Sequence, residues 1–277
     1  MQETFYSFPV PLSIALVADL HDHPYTDIIS SLQTNKPDII CIAGDFTHGG
    51  FPASGLKMEN TKYALSFLAA CTDIAPVYIS LGNHEWLFCE QDLDVIRSVG
   101  AVVLDNSFVL KDGVVIGGLT SARFTGYRLY RKGFDSLAYP RPYYPDVKKL
   151  IPDLSWLDAF EAQPGYKILL SHHPEYYDAY LRDREIDLIL SGHAHGGQIR
   201  LFGQGLFAPG QGLLPKYTSG VHGNLILTRG LSNTAFLPRF FNPTELVYII
   251  PAGYPSTGSS DWYYSIHQSE KMPIKTK

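Results

Sequence analysis

The amino-acid sequence predicts an α/β protein in which a sheet built from βαβ units faces a second, mixed or antiparallel sheet. Before Val102, short β-branched runs alternate with amphipathic stretches, which is typical of parallel strands joined by helices. After Val102 the runs follow one another more closely, and the tripeptide at 111–113 (KDG) has the composition of a hairpin turn. Hydrophobic residues make up 45% of the 277 residues and charged residues only 18%, which excludes a disordered chain and a coiled coil.

Short apolar runs that stop at polar or glycine-bearing clusters predict the strands. They are Ser13–Ala18, Asp38–Ala43, Val77–Ser80, Ala101–Leu104, Ser107–Leu110, Val114–Leu119, Lys167–Ser171, Leu188–Ser191, Asn224–Thr228 and Glu245–Ile250. Helical spacing of apolar residues, a threonine N-cap and well-placed prolines predict the helices. They are Thr26–Asn35, Lys57–Cys71, Gln91–Val99 and Pro152–Ala162.

Two stretches have no regular pattern. Arg123–Val147 is rich in Tyr, Arg and Pro, and Phe202–Gly223 is rich in Gly, Pro and Phe. Because both carry many aromatic residues, we expect ordered loops over the rim of a site rather than linkers. No internal repeat or domain boundary is visible, so residues 1–251 are predicted to form a single domain. Residues 252–277 show little periodicity and are expected to form a partly disordered C-terminal tail.

Charge and cysteine content narrow the function. The chain has 22 Lys and Arg against 27 Asp and Glu, a net charge of −5, so we expect no nucleic-acid polymer as a partner. Cys41, Cys71 and Cys89 form no CxxC pair, which indicates a reducing compartment. No apolar run approaches the ~18 residues of a membrane span. The first residues lack a signal-peptide pattern, so the cytoplasm is the expected location, with membrane association as the alternative.

Five short polar strings lie at the carboxyl ends of predicted strands. They are Ala18–His21 (ADLH), Gly44–Asp45 (GD), Gly82–Glu85 (GNHE), Ser171–Pro174 (SHHP) and Gly192–His195 (GHAH). In an open α/β sheet, ligands bind at this edge because successive strands deliver their next residues to one crevice. Each string contains a carboxylate, an imidazole or an asparagine amide, and these are groups that coordinate metal ions. The sequence therefore predicts a metal site.

The predicted metal ligands combine hard oxygen with imidazole nitrogen donors. They are Asp19, His21, Asp45, Asn83, His172, His193 and His195. Such a set favours Mn, Fe or Zn over Ca, with Mg as a weaker alternative. Seven ligands are too many for one ion and suit two ions if one carboxylate bridges them. His84 is left without a ligand position beside Asn83, which makes it the candidate proton donor to a leaving oxygen.

Taken in order, the motifs D-x-H, G-D, G-N-H-E, H-x-P and G-H-x-H between Asp19 and His195 resemble those of the calcineurin-like metallophosphoesterases. The downstream run from Gly196 further resembles the YkuE-type bacterial branch and extends the likeness to about Ile250. The resemblance implies a four-layer α/β/β/α sandwich of two mixed sheets flanked by helices. It also implies that His84 is the catalytic histidine that contacts phosphate.

The same resemblance divides the ligands between two metal ions. The first set is Asp19, His21, Asp45 and His195. The second set is Asp45, Asn83, His172 and His193, with Asp45 bridging the ions. His172 is preferred to His173 because it leaves one residue before Pro174, as the H-x-P motif does. Asp22 and His23, just past the first ligand pair, are interpreted as a helix cap and a surface histidine.

The sequence departs from the branch near the expected substrate. His48 lies where an apolar or acidic residue is usual, and Thr120 and Ser121 replace an acidic pair that many relatives carry. These differences leave the metal ligands intact and concern the substrate. The candidate substrate contacts are His48, His222 and Arg123.

The favoured hypothesis is a binuclear metal-dependent phosphoesterase that hydrolyses a small phosphomonoester or phosphodiester. Metal-activated hydroxide would attack phosphorus, and His84 would act as general acid. The alternatives are a non-catalytic, metal-binding protein-interaction scaffold, a pyrophosphatase acting on a lipid-linked or nucleotide diphosphate, and a metal-dependent hydrolase of another bond. The sequence does not distinguish monoester from diester substrates and does not predict an oligomeric state.

Overall fold

A computed structural model provides the fold and describes residues 1–49, 55–122, 151–233 and 237–253. The whole of the predicted loop Arg123–Val147 therefore lies outside the described residues, and so does the predicted tail 252–277 except for its first two residues. Within the described ranges, two six-stranded sheets contain most of the strands. No helix in those ranges has both the length and the apolar character that crossing a membrane requires.

The first sheet follows the predicted βαβ pattern. Its strands are β1 (Gln2–Phe8), β2 (Ile14–Val17), β3 (Ile39–Ala43), β4 (Val77–Ser80), β5 (Val102–Leu104) and β16 (Glu245–Pro251), in the order β1-β16-β2-β3-β4-β5. Strands β2 to β5 are parallel, so their carboxyl ends share one edge. Its helices are α1 (Thr26–Asn35), α2 (Ala64–Thr72) and α3 (Glu90–Ser98).

The second sheet is mixed. Its strands are β6 (Ser107–Lys111), β7 (Val114–Leu119), β8 (Tyr166–Ser171), β9 (Leu188–Ser191), β14 (Gly220–His222) and β15 (Leu225–Leu227), in the order β14-β15-β9-β8-β7-β6. Strands β7, β8, β9 and β15 are parallel. Helix α4 (Leu157–Glu161) and a π-helical turn at Tyr177–Leu181 accompany this sheet.

Alternating side chains build three layers of core. Along β2, Ala15 and Val17 pack with the helices α1 to α3, whereas Ile14 and Leu16 pack between the two sheets. On the far side of the second sheet, Phe160 of α4 joins a third apolar cluster. The chain is therefore an α/β/β/α sandwich of two mixed sheets, which confirms the predicted four layers.

Long-range contacts explain where the predicted elements were wrong. Strand β1 was not predicted, and it pairs in parallel with β16 from the other end of the chain. Helix α2 begins at Ala64 rather than Lys57, because the Asp22 carboxylate accepts hydrogen bonds from the N–H groups of residues 62–64 at 2.7–2.9 Å. Asp22 is thus a cap, as interpreted, but the helix it caps lies 40 residues away.

Part of the irregular stretch Phe202–Gly223 is more regular than predicted. Two short hairpins lie there and just before it: β10 (Arg200–Leu201) with β11 (Gln204–Gly205), and β12 (Phe207–Ala208) with β13 (Gly212–Leu213). Their strands are only two residues long, too short for the period-2 pattern to appear in the sequence.

Candidate metal centre

The candidate metal centre lies where the carboxyl ends of the parallel strands of the two sheets meet. Strands β2, β3 and β4 deliver the first-sheet residues directly after their last positions, and β8 and β9 deliver those of the second sheet. From the first sheet come Asp19, His21, Asp45, Asn83 and His84, and from the second come His172, His193 and His195. The two sheets contact each other here through a hydrogen bond of 2.7 Å between His172 Nδ1 and the carbonyl oxygen of Ala43.

Most of the predicted ligands have an unusual backbone conformation. Positive φ angles occur at Asp19 (55°), His21 (49°), Asp45 (52°), His193 (68°) and His195 (46°). Residues other than glycine rarely adopt this conformation, and such residues cluster at functional sites. Cross-strand hydrogen bonds hold it in place, including His21 N–H to the carbonyl of Asp45 at 3.0 Å.

The ligand atoms form two buried groups. In the first, Asp19 Oδ1 lies 3.7 Å from His21 Nε2 and 3.6 Å from His195 Nε2. In the second, Asp45 Oδ2 lies 3.1 Å from His172 Nε2, and His193 completes the group. Within each group the candidate ligand atoms lie no more than 4.8 Å apart, a spacing that one cation can bridge. The two groups contain six of the seven predicted ligands.

Unpartnered polar atoms among the predicted ligands fit a bound metal ion. Both ring nitrogens of His21 are buried without a hydrogen-bond partner among the described residues, and so is Asn83 Oδ1. Leaving such atoms unpaired costs about 1–3 kcal/mol each, whereas coordination satisfies them. Asn83, the seventh predicted ligand, thus presents a free carbonyl oxygen of the kind that hard and borderline cations bind.

The protonation states also suit metal binding. Burial lowers the pKa of His21 and of His193 well below the usual value, so both imidazoles are neutral at pH 7. Burial by itself would raise the pKa of Asp45, but His172 and His84 hold it well below its usual range. Neutral imidazole and ionised carboxylate are the forms that coordinate metals.

His172 behaves differently from the other ligand histidines. Burial lowers its pKa, but the adjacent Asp45 carboxylate outweighs burial and raises the pKa to about 10. Without a metal ion, a proton on His172 therefore neutralises Asp45. A cation that binds here must displace that proton, so metal affinity falls as pH falls.

His84 lies beside the ligands and is oriented by the backbone. Its Nδ1 accepts a hydrogen bond of 2.9 Å from the N–H of Gly49. Because an amide N–H can only donate, the proton of a neutral His84 ring lies on Nε2. That atom is 3.8 Å from Asp45 Oδ2, and the side chain is 28% exposed. His84 therefore presents a proton towards the ligand groups from a solvent-accessible position.

Glu85 supports the site in a way that sequence reasoning missed. One of its carboxylate oxygens accepts the N–H groups of Asp45 (2.9 Å) and Gly82 (2.8 Å), and the other accepts from the backbone and hydroxyl of Thr47 (both 3.1 Å). Burial, followed by the charge of Asp45, raises the pKa of Glu85 to about 7. The glutamate of the GNHE string was the available signal, but only the fold shows that it is fully buried and which groups it binds.

Arg239 is a second residue that the sequence did not reveal. Its guanidinium donates to the carbonyls of Arg229 and Ser232, at 2.8 and 2.5 Å, and lies 3.2 Å from His195 Nδ1. The Ser232 carbonyl that Arg239 holds lies 3.4 Å from His195 Nδ1, and acceptors of this kind orient ligand histidines and affect metal affinity. No local motif marks Arg239, because it follows His195 by 44 residues.

A cavity of about 760 Å³ adjoins the second ligand group. Asn83 and His193 contribute to its wall, as does the β12–β13 hairpin. His173 lies in this wall with its ring 4.2 Å from the ring of His193, and it forms a further potential ligand group with His193 and Glu175. Its Nε2 lies 2.8 Å from Ser121 Oγ and its Nδ1 lies 3.2 Å from Glu175 Oε1. The structure thus places His172, not His173, beside Asp45.

The predicted substrate contacts have different positions. The exposed His48 ring lies 6.3 Å from the ring of His21, at the edge of the site. His222 is not brought to the ligands: it lies next to the turn of the β14–β15 hairpin, whereas the opposite end of that hairpin pairs with Ser191 at the site edge. Its ring contacts Tyr217 at 5.0 Å. Arg123 lies outside the described residues.

The chain is similar to known proteins in sequence and in fold. Residues 12–197 match the family described as calcineurin-like phosphoesterase. The Bacillus subtilis uncharacterized protein YpbG is 27% identical over 201 residues, which cover 72% of this chain and 66% of that protein. The Escherichia coli phosphodiesterase YaeI is 27% identical over 240 residues, which cover 80% of this chain and 76% of that protein. A dimetal phosphatase from Danio rerio has a TM-score of 0.43 and 14% identity, covering 79% of this chain and 87% of its own.

Proposed function

This chain belongs to the calcineurin-like phosphoesterase family, and we propose that it is a binuclear metal-dependent enzyme that hydrolyses a phosphomonoester or phosphodiester. One observation carries the proposal: two buried groups, Asp19–His21–His195 and Asp45–His172–His193, lie side by side at one edge of the sandwich. Asp19 Oδ1 is only 3.9 Å from His172 Nε2, so the two groups are adjacent. The narrower resemblance to the YkuE-type branch stays a prediction.

Two ions would share the ligands as the resemblance implies. Asp19, His21 and His195 would hold one ion, His172, His193 and Asn83 would hold the other, and Asp45 would bridge them. The mixture of carboxylate, amide and imidazole favours Mn, Fe or Zn. When bound, such ions supply positive charge to phosphoryl oxygens and lower the pKa of water. This local charge would draw a phosphate compound to a chain with a net charge of −5.

The protein's own groups would complete the chemistry. His84 would donate its Nε2 proton to the leaving oxygen, because Gly49 N–H fixes the ring in the required tautomer. His48 would contact the substrate from the exposed edge. The organic part of the ester would occupy the cavity of about 760 Å³, a volume typical of sites for small organic ligands and far larger than inorganic phosphate needs. We therefore favour a substrate with a bulky organic group.

The metal requirement tests the proposal. After chelation, the protein should hydrolyse p-nitrophenyl phosphate or bis-p-nitrophenyl phosphate only when Mn²⁺, Fe²⁺, Zn²⁺ or Mg²⁺ is added back. Asp45→Ala should lose bound metal and more than about 100-fold in activity, since even outer-sphere partners cost about 10–100-fold. Activity that survives chelation would contradict the binuclear mechanism. So would an Asp45→Ala variant that keeps both its bound metal and its activity.

The role of His84 requires a separate test. His84→Ala should retain both metals, as measured by elemental analysis, while kcat falls by roughly 10²–10⁴. His222→Ala is the matched control, because that histidine lies at the far end of its hairpin and should leave kcat unchanged. A His84→Ala variant with normal kcat would remove this residue from the mechanism.

A further inference from the structure

A third group of potential metal ligands lies beside the two described above. His173, Glu175 and His193 each offer one ligand atom, and these three atoms lie within 4.8 Å of one another. Glu175 Oε1 is 3.2 Å from His173 Nδ1 and 3.8 Å from His193 Nε2. In the first ligand group, Asp19 Oδ1 is 3.7 and 3.6 Å from its two histidine nitrogens. The third group therefore resembles the first, with one carboxylate oxygen close to two imidazoles.

The chain assembles this group where β8 and β9 end. His172 and His173 are consecutive, and their rings are inclined at 84° to each other. One ring therefore reaches Asp45, whereas the other reaches Glu175. The ring of His193 lies 4.9 Å from that of His172 and 4.2 Å from that of His173. His193 thus adjoins both the second and the third group.

The Glu175 carboxylate has an unsatisfied oxygen atom. Its Oε2 is shielded from solvent and has no hydrogen-bond partner among the described residues. An unpaired buried acceptor costs about 1–3 kcal/mol, and a cation bound by the carboxylate would satisfy it. Gly210, in the turn of the β12–β13 hairpin, covers the carboxylate so closely that a Cβ there would lie 2.2 Å from Oε1. This close cover favours a small metal ion over an organic ammonium group.

His173 is able to present a lone pair to such an ion. Its Nε2 lies 2.8 Å from Ser121 Oγ. Because a hydroxyl oxygen can accept a hydrogen bond, the ring proton can lie on Nε2 and leave Nδ1 to bind a cation. Outer hydrogen bonds of this kind fix the tautomer of ligand histidines. Without an ion, Nδ1 instead donates its proton to Glu175 across the 3.2 Å between them.

We propose that His173, Glu175 and His193 form a third binding site, which takes a divalent cation of the Zn²⁺ type. Two imidazoles and one carboxylate are a donor set that zinc binds in proteins, with a coordination position left for water or another ligand. All three residues line the cavity of about 760 Å³. An ion here would therefore also be able to bind an anionic group of a molecule in the cavity.

The shared histidine sets the order in which the sites fill. A neutral imidazole has one lone pair for coordination, so His193 serves one ion at a time. The second ion would keep Asp45, His172 and Asn83 when His193 binds the third. Because this exchange removes one of its four ligands, we expect the third site to fill only when the cation is in excess. The inference concerns ligands alone and does not depend on the hydrolytic activity proposed above.

Anomalous diffraction at the zinc edge, from crystals of the full chain grown in excess Zn²⁺, tests the proposal. We expect an ion bonded to Glu175 and His173, separate from any ion bonded to Asp45. In solution, equilibrium dialysis against increasing Zn²⁺ and elemental analysis should reveal a weaker equivalent. Glu175→Gln should reduce the affinity for that equivalent more than about 100-fold, since even outer-sphere partners of a metal cost about 10–100-fold. Glutamine keeps the shape of the side chain, so the variant should fold normally.

Controls separate this site from adventitious zinc binding. Glu161→Gln changes a glutamate of similar exposure, 18% against 27%, that pairs with Arg184, and it should keep the weaker equivalent. His48→Ala removes a surface ring that lies 5.6 Å from the ring of His23, and it should keep that equivalent too. Crystals with no ion at Glu175 would overturn the proposal. So would a weaker equivalent that Glu175→Gln retains, whether or not His48→Ala loses it.

Discussion

The two sheets contribute unequally to the candidate metal centre. The first sheet supplies both carboxylates of the two ligand groups, Asp19 and Asp45, together with the imidazole of His21, whereas the second sheet supplies only imidazoles to them. The first sheet also supplies Glu85, whose carboxylate accepts a hydrogen bond from Asp45 N–H. The second-sheet histidines are also positioned by the first sheet: His172 through the carbonyl of Ala43, and His193 through its N–H to the Asp19 carboxylate at 3.0 Å. A substitution in the first sheet should therefore disturb both ligand groups. A substitution in the second sheet should disturb only the residues next to it.

The largest effect on stability and metal binding is expected at Glu85, because its carboxylate accepts hydrogen bonds from the backbone around Asp45. Glu85→Ala leaves the buried N–H groups of Asp45, Gly82 and Thr47 without their acceptor. We expect the free energy of unfolding to fall by more than about 2 kcal/mol. Metal affinity should fall by about 10–100-fold. Urea unfolding and metal titration measure the two effects. Normal metal affinity in this variant would show that the position of Asp45 does not depend on its hydrogen bond to Glu85.

A methyl group at Gly82 should displace Asp45 itself. A Cβ there would lie 2.2 Å from Asp45 Oδ1 and 2.6 Å from its backbone nitrogen, so both the carboxylate and the backbone of Asp45 have to move. Because misplacement by about 1 Å costs roughly 10²-fold in rate, Gly82→Ala should lose about that much kcat.

Gly113→Ala serves as the control for Gly82→Ala. A Cβ at Gly113 meets no atom within 4 Å, and the residue lies in a turn with φ of 80°. The control should show only the small stability cost of the left-handed backbone, about 1 kcal/mol, and a normal kcat in steady-state assays. Equal loss of activity in both variants would mean that displacement of Asp45 is not the cause.

The smallest effect is expected on the second-sheet side, at Ser121. Ser121→Ala removes the hydroxyl that lies 2.8 Å from His173 Nε2 in the cavity wall, and neither of these residues belongs to the two ligand groups. We expect about 1 kcal/mol less stability, normal metal content, and a KM that changes more than kcat. A loss of metal from this variant would contradict the local character assigned to the second sheet.

Much of the fold could be predicted because the signals are local. The strands that carry the ligands are continuous apolar runs that end at polar strings, and a strand buried on both faces leaves that pattern wherever it pairs. Helix α1 agrees with its predicted bounds, Thr26–Asn35. Strand β1 was missed because it lies at the sheet edge with alternating exposed residues, and its partner β16 is more than 240 residues away.

The same division applies to the site. The sequence by itself determined which coordinating and proton-donating side chains are present and in which order, because they belong to short strings at strand ends. They are Asp19, His21, Asp45, Asn83, His84, His172, His193 and His195. Only the tertiary structure decided which groups meet: Glu85 under Asp45, Arg239 beside His195, and His222 away from the ligands. The physical reason is that coordinating ability belongs to a side chain, whereas a hydrogen-bond partner from another strand is fixed by how the two sheets pack.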